Sequence, residues 1–252
     1  MPPFRPISKY FGGKAKLAPK IICHFPPHRL YIEPFSGMAN VLLQKDPADH
    51  ELLVDLNPEI VNLLLVIRDH TEEFVGHLNR INYCKDTLDR VLTASKQPVD
   101  MTKPMREAII TYCKLKMSYS GTTTNTGYSY AGQKSWHHDH LFPIAQRLQK
   151  VNICCDNSLN VIQKYKHRSD VLIYLDPPYL QSTINSRGKY DCNFAKVDHI
   201  NLLTVIQDAK CKIVLSGYES ELYNQYLPTW QKIQFPARTN GADKIETLYI
   251  NF

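Results

Sequence analysis

Asp176-Pro177-Pro178-Tyr179 follows directly on the apolar run Val171-Leu172-Ile173-Tyr174-Leu175, which places a carboxylate, a rigid carbonyl and an aromatic ring together. Apolar residues stopped by two prolines predict a fully buried parallel strand, because proline denies the ladder its N–H. Ligands bind at the carboxyl ends of such strands. The chemistry these groups suit is methylation of an exocyclic amine on a planar base. Such a nitrogen is a poor nucleophile because its lone pair is delocalised into the ring. The Asp176 carboxylate and the Pro177 carbonyl can each accept one amino hydrogen and draw the nitrogen toward a tetrahedral shape. Tyr179 can stack on the base, and Pro178 helps hold the carbonyl rigid. Preorganised polar groups at a developing charge are typically worth ~10²–10³ in rate each.

Two other segments carry chemistry. The first is Glu33-Pro34-Phe35-Ser36-Gly37-Met38-Ala39-Asn40, a strand-to-helix turn in which Gly37 lies where backbone must approach a ligand, ahead of the helical pattern Val41-Leu42-Leu43. Alone, such a glycine marks a tight turn as readily as a binding loop. Asp55, at the end of the next strand, stands where nucleotide folds place an acceptor for ribose hydroxyls, although an Asp turning the chain into Asn57-Pro58 reads equally well. The second segment, Lys9-Tyr10-Phe11-Gly12-Gly13-Lys14, joins aromatics, glycines and lysines in a turn that can close over a ligand bearing a ring and a carboxylate.

The elements that must position these groups alternate strand with helix. Residues 30–32 and 51–54 read as short strands, and Asn57 and Pro58 open a helix with Ile60, Val61, Leu64, Leu65 and Ile67 on its apolar face. Further strands are expected at 151–155, 171–175, 212–216, 230–235 and 247–252, with helices at 159–166 and 199–209. Asn240-Gly241 signals a hairpin, so the last strand should run antiparallel. From about 69 to 150 the pattern becomes helical, with Pro104 opening a helix to about Met117, and then polar and turn-rich. The sequence thus predicts seven mostly parallel strands in residues 1–68 and 151–252, interrupted by an insertion at 69–150.

The chain of 252 residues is 43% hydrophobic and 21% charged, ordinary for a soluble globular protein. No apolar run approaches the ~18 residues of a membrane span, so a soluble cytoplasmic protein is expected. The net charge of +6 is compatible with a polyanionic partner. The seven cysteines form no Cys-x-x-Cys pair and are expected to be reduced and structural. Trp136-His137-His138-Asp139-His140 resembles metal-ligand chemistry, but no matching Cys or His pair stands nearby, so a polar loop or a DNA-facing surface is expected and no metal.

In their order, Lys9 to Lys14, Glu33 to Asn40, Asp55 and Asp176 to Tyr179 resemble the Dam-type (class α, D12) DNA adenine-N6 methyltransferases. The resemblance implies an α/β, Rossmann-like, seven-stranded S-adenosylmethionine-dependent methyltransferase fold with an inserted, mainly helical DNA-recognition domain. It implies catalysis by Asp176, Pro177, Pro178 and Tyr179. Tyr10, Lys14, Pro34, Phe35, Gly37, Asp55, Asp156 and Asp176 would bind S-adenosylmethionine, which leaves as S-adenosylhomocysteine. The family often has a second glycine at or beside Ala39. A base in a duplex must be flipped out to reach such a pocket, and Lys116, Tyr119, Asn125, Tyr128, Arg187 and Lys189 are candidates to grip the DNA; for the segment around 114–136, a surface hairpin without a partner weighs equally. Double-stranded DNA is the expected partner, with single-stranded DNA as an alternative, and neither a membrane nor an obligate protein partner is expected. N4-cytosine methylation uses the same pair of acceptors, though its motif more often starts with Ser. Protein-glutamine methylation usually starts its motif with Asn. A non-catalytic nucleic-acid-binding protein on the same fold is the remaining alternative.

Overall fold

The strand periodicity of the sequence becomes a seven-stranded sheet in the computed structural model, which describes residues 5–10, 12–93, 101–118, 127–180, 194–239 and 242–252. The strands are β1 (Leu30–Glu33), β2 (His50–Asp55), β3 (Val151–Cys155), β4 (Val171–Leu175), β5 (Lys212–Gly217), β6 (Gln231–Thr239) and β7 (Ala242–Ile250), in the order β3-β2-β1-β4-β5-β7-β6. β1 pairs in parallel with β2 and with β4, β4 pairs in parallel with β5, and β7 is antiparallel to β5 and β6. This is the Rossmann-like methyltransferase arrangement expected, with its reversed strand near the end. Thr239 pairs with Ala242, the register a two-residue hairpin turn requires; Asn240 and Gly241 themselves lie outside the described residues. The hairpin strands run longer than the expected 230–235 and 247–252.

The described helices are α1 (Ala18–Ile22), α2 (Pro58–Asp69), α3 (Thr71–Leu78), α4 (Lys85–Thr93), α5 (Lys103–Met117), α6 (Leu141–Leu148), α7 (Ser158–Tyr165), α8 (Lys196–Ile206) and α9 (Glu221–Tyr226). Their starts follow their caps. Asn57 accepts from the Glu59 N–H at 2.9 Å ahead of Pro58, and Asn157 accepts from the Leu159 N–H at 2.9 Å. One expectation is corrected: residues 41–43 form turns rather than a helix, with Leu43 N–H donating to the Ala39 carbonyl and Lys45 N–H to that of Val41. The segment has room for about one turn. Lys45 then folds inward to pair with Glu51 at 2.8 Å, both 3% exposed, and Pro47 follows.

Two compact units divide the chain: residues 1–13 with 57–153, and residues 14–56 with 154–252. The expected division had fallen at 69 and 150; here α2 groups with the helices that follow it, and the boundary falls within β3. The core of the second unit is built from Ile32, Ile173, Leu175, Ile213 and Leu215 of the sheet and from Ile162, Leu202, Leu203 and Ile206 of α7 and α8. Each fully buried aliphatic side chain there contributes roughly 1.5–3 kcal/mol. In the first unit, Phe74, Tyr112, Trp136 and His138 pack ring to ring at centroid distances of 4.6 to 6.0 Å.

Candidate active site

Parallel pairing brings three chemical segments to one edge of the sheet. Ile32 lies level with Leu52 on one side and Ile173 on the other. Phe35, Asp55 and Asp176 each follow three residues later, so they emerge together at the carboxyl ends of β1, β2 and β4. Strand order reverses between β1 and β4, and in open α/β sheets that switch point opens the crevice where ligands bind.

The turn after β1 is built around Gly37, which has φ 45° and donates its N–H to Asp55 Oδ2 at 2.8 Å. The Ser36 N–H donates to the Val54 carbonyl at 3.0 Å, and Ser158 Oγ donates to the Pro34 carbonyl at 2.6 Å. Loop, β2 and the start of α7 are thus one hydrogen-bonded assembly. Ala39 also has a positive φ, 52°, a left-handed conformation that a side chain resists and glycine adopts freely. Pro34 is buried, and half-buried Phe35 meets the Phe194 ring edge-on at 5.7 Å.

Lys14, just ahead of α1, is buried and sends its ammonium to both Asp176 oxygens, at 2.8 and 3.0 Å. The same nitrogen stands 3.9 Å from Glu246 Oε1 and 4.7 Å from the centre of the Tyr179 ring. The Tyr179 hydroxyl donates to Glu246 Oε1, and the ring meets Tyr218 edge-on at 4.7 Å. Burial pushes the Asp176 carboxyl above its ordinary range, opposed by the Lys14 ammonium and by hydrogen bonds from Lys14 and Tyr179. A carboxylate so placed can accept hydrogen bonds from an incoming amine.

Beneath this cluster Glu33, 3% exposed, accepts at Oε2 from the Tyr31 hydroxyl and the Leu42 N–H, both at 3.1 Å. Burial raises its pKa to about 8, so it is mostly neutral at pH 7. Neither Glu33 nor Glu246 was singled out as a site residue in the sequence. Glu33 opens the Pro-Phe-Ser-Gly turn and was legible as part of it; Glu246, on the last strand, carries no local signal.

Asp156 is exposed and its Oδ1 accepts from the Asn157 N–H at 2.6 Å, while Asn157 caps α7. Tyr10 belongs to the first unit, where its carbonyl accepts from the Gly13 N–H at 3.0 Å. Lys116, also in that unit, is partly buried with its ammonium 5.6 Å from the Tyr112 ring centre, and burial, with Arg5 and Lys9 nearby, lowers its pKa to about 8. Tyr128 packs its ring against Tyr83 and Tyr130 at 5.6 and 4.8 Å. Tyr119, Asn125, Arg187 and Lys189 lie outside the described residues.

The segment 136–140 is not simply the polar loop expected. His137 and Asp139 are exposed, but Trp136 donates from Nε1 to the Ile81 carbonyl at 3.0 Å, and buried His138 meets the Tyr112 hydroxyl at 3.2 Å. Burial drives both His138 and His140 down to about 4, so they stay neutral. Among the described residues, no three His, Cys, Asp or Glu side chains are grouped to hold a metal ion, and no helix is long and apolar enough to cross a membrane.

Comparison with known proteins gives a consistent result. Residues 10–235 match the family described as D12 class N6 adenine-specific DNA methyltransferase. A DNA adenine methylase of Haemophilus influenzae is 26% identical over 241 residues, covering 87% of this chain and 83% of that protein. One from Serratia marcescens is 22% identical over 232 residues, covering 86% and 85%, and one from Escherichia coli is 20% identical over 235, covering 88% and 84%.

Proposed function

The chain belongs to the D12 class N6 adenine-specific DNA methyltransferases, and from that premise we propose that it methylates a flipped-out adenine in duplex DNA through the cluster at the carboxyl ends of β1, β2 and β4. The observation that carries this reading is the Lys14–Asp176 contact at 2.8 Å on the strand edge that also presents Asp55 and Gly37.

S-adenosylmethionine, when bound, supplies an electrophilic methyl on a sulfonium and departs as S-adenosylhomocysteine. The chain's own groups fit it. The turn at Gly37 leaves no side chain at its closest approach, and the Asp55 carboxylate fixed against it is an acceptor suited to ribose hydroxyls. Pro34 and Phe35 give the apolar wall, and Lys14, Asp156 and Tyr10 are the further contacts proposed.

Asp176 Oδ accepts one hydrogen of the adenine amine and the Pro177 carbonyl the other, which localises the nitrogen lone pair for in-line attack. Once the new N–C bond forms and the C–S bond breaks, the nitrogen sheds a proton, which the Asp176 carboxylate can accept. Pro178 keeps the carbonyl in place. Tyr179 supplies the stacking ring, and since it is 7% exposed, it or its cover must move as the base enters. Flipping costs a few kcal/mol, and the residues around 69–150, with Lys116 and Tyr128 among them, are the proposed source of the compensating grip on DNA.

The test is transfer of labelled methyl from S-adenosylmethionine to unmethylated double- and single-stranded DNA, followed by nucleoside analysis. N6-methyladenine, formed faster in the duplex, is expected. N4-methylcytosine as the product would overturn the assignment of the target base, and preference for single strands would overturn the flipping step.

A further inference from the structure

A carboxylate buried within a sheet is costly unless charge and hydrogen bonds compensate it. Glu246 on β7 is 2% exposed, against 58% for its neighbour Ile245. Its Oε1 accepts the Tyr179 hydroxyl and lies 3.9 Å from Lys14 Nζ. Through those two partners it reaches the aromatic ring of the Asp-Pro-Pro-Tyr segment directly and the carboxylate at one remove, since Lys14 also holds Asp176. β7 enters the sheet antiparallel beside β5, so this contact comes from a strand far along the chain from the segment it serves.

We propose that Glu246 is a positioning residue for methyl transfer: it holds the Tyr179 ring by its hydroxyl and shares the Lys14 ammonium with Asp176, so that ring and carboxylate keep one geometry. The inference rests on the methyltransferase reading of the site. Lys14 is thereby divided between two carboxylates. Among the described residues, the charged and titratable groups facing Glu246 are Lys14 ahead of α1, Asp176 and Tyr179 after β4, and Tyr174 within β4, with Lys244 on its own strand near Tyr218. Asp176 disfavours ionisation of Glu246, and Lys14 favours ionisation of both.

The experiment compares Glu246→Ala, Glu246→Gln, Tyr179→Phe and the Glu246→Ala/Tyr179→Phe double variant in steady-state methyl transfer to duplex DNA over a range of pH, with S-adenosylmethionine affinity measured separately. Glu246→Ala is expected to lower kcat by about 10–100-fold, the scale of a misplaced reacting group, with a much smaller change in cofactor Kd. Glu246→Gln keeps an acceptor for the Tyr179 hydroxyl and is expected to recover most of kcat. It also removes a competitor for the Lys14 ammonium that Asp176 contacts, so the acid limb of its pH profile moves to lower pH. The double variant should lose less than the product of the single losses, because the two side chains act as one unit.

A kcat for Glu246→Ala within about twofold of the parent, or fully multiplicative losses, overturns the inference. Should Glu246→Ala fail to fold, Glu246→Gln decides: an unshifted acid limb overturns the proposal and a downward shift supports it. Parent protein that methylates no DNA would instead sink the functional reading on which this inference rests, and that control is read before any variant.

Discussion

Lys14, Asp176 and Glu246 in one compact unit, and Tyr112, Trp136 and His138 in the other, are withdrawn from water to similar degrees but settle their charges differently. In the first cluster a lysine touches one carboxylate and nears a second, and its ammonium opposes the upward push of burial on both. In the second, burial and the Lys116 ammonium nearby lower the pKa of His138, which meets a tyrosine hydroxyl and ring edges and stays neutral. The difference separates two uses of burial. Keeping a charge in the interior takes a partner and a second acceptor to steer it, which suits chemistry; giving the charge up leaves packing alone, which suits a scaffold.

The largest break in that contrast is Asp176→Ala. It removes the acceptor and the carboxylate that Lys14 contacts, so methyl transfer should fall by about 10³-fold while circular dichroism stays unchanged; near-normal turnover would refute the mechanism. In the neutral cluster the corresponding blow is to stability. Trp136→Ala is expected to cost about 3–5 kcal/mol in urea unfolding, with cofactor affinity preserved wherever the variant is folded. Affinity lost in proportion to stability would show that the two clusters are not separable.

Asp55→Ala tests the binding edge: cofactor Kd should rise by about 10–100-fold, the loss of a charge-assisted hydrogen bond pair, with a smaller effect on kcat at saturation. An unchanged Kd by calorimetry would remove Asp55 from the site. Glu33→Gln sharpens the comparison from within the active unit, since Glu33 is a carboxyl buried largely neutral. Its folded pKa of about 8 lies above the ordinary 4.5, so its contribution to stability is full below pH 4.5 and is lost as pH rises through about 8. The Gln variant should therefore show a flatter fall of unfolding free energy across that window, and an identical slope would contradict neutral burial. The smallest effect belongs to Ala39→Gly, which relieves a φ of 52° and should raise stability by up to about 1 kcal/mol. A loss on thermal unfolding would mean that the Ala39 methyl packs usefully there.

Much of this was legible in the residues themselves. The five-residue apolar run and its double proline specify β4 and where it ends, since buried strands and proline punctuation are local signals. Asn57-Pro58 and Asn157 announce their helices by the side chains that cap them. The turn at 34–40 was visible as a loop, yet the helix expected after it was wrong because Lys45 is drawn to Glu51, a pairing across the loop that no local pattern carries. Trp136 and His138 read as polar-loop chemistry because a sequence lists histidines without saying which rings will enclose them.

By itself, then, the sequence determined which groups stand at the ends of β1, β2 and β4, because periodicity and turn chemistry act over a few residues and fix where each strand stops. Only the tertiary structure decided that Lys14 meets Asp176 and nears Glu246, contacts spanning most of the chain. Long-range pairing depends on strand order and register, and those follow from burying all the strands at once rather than from any one of them.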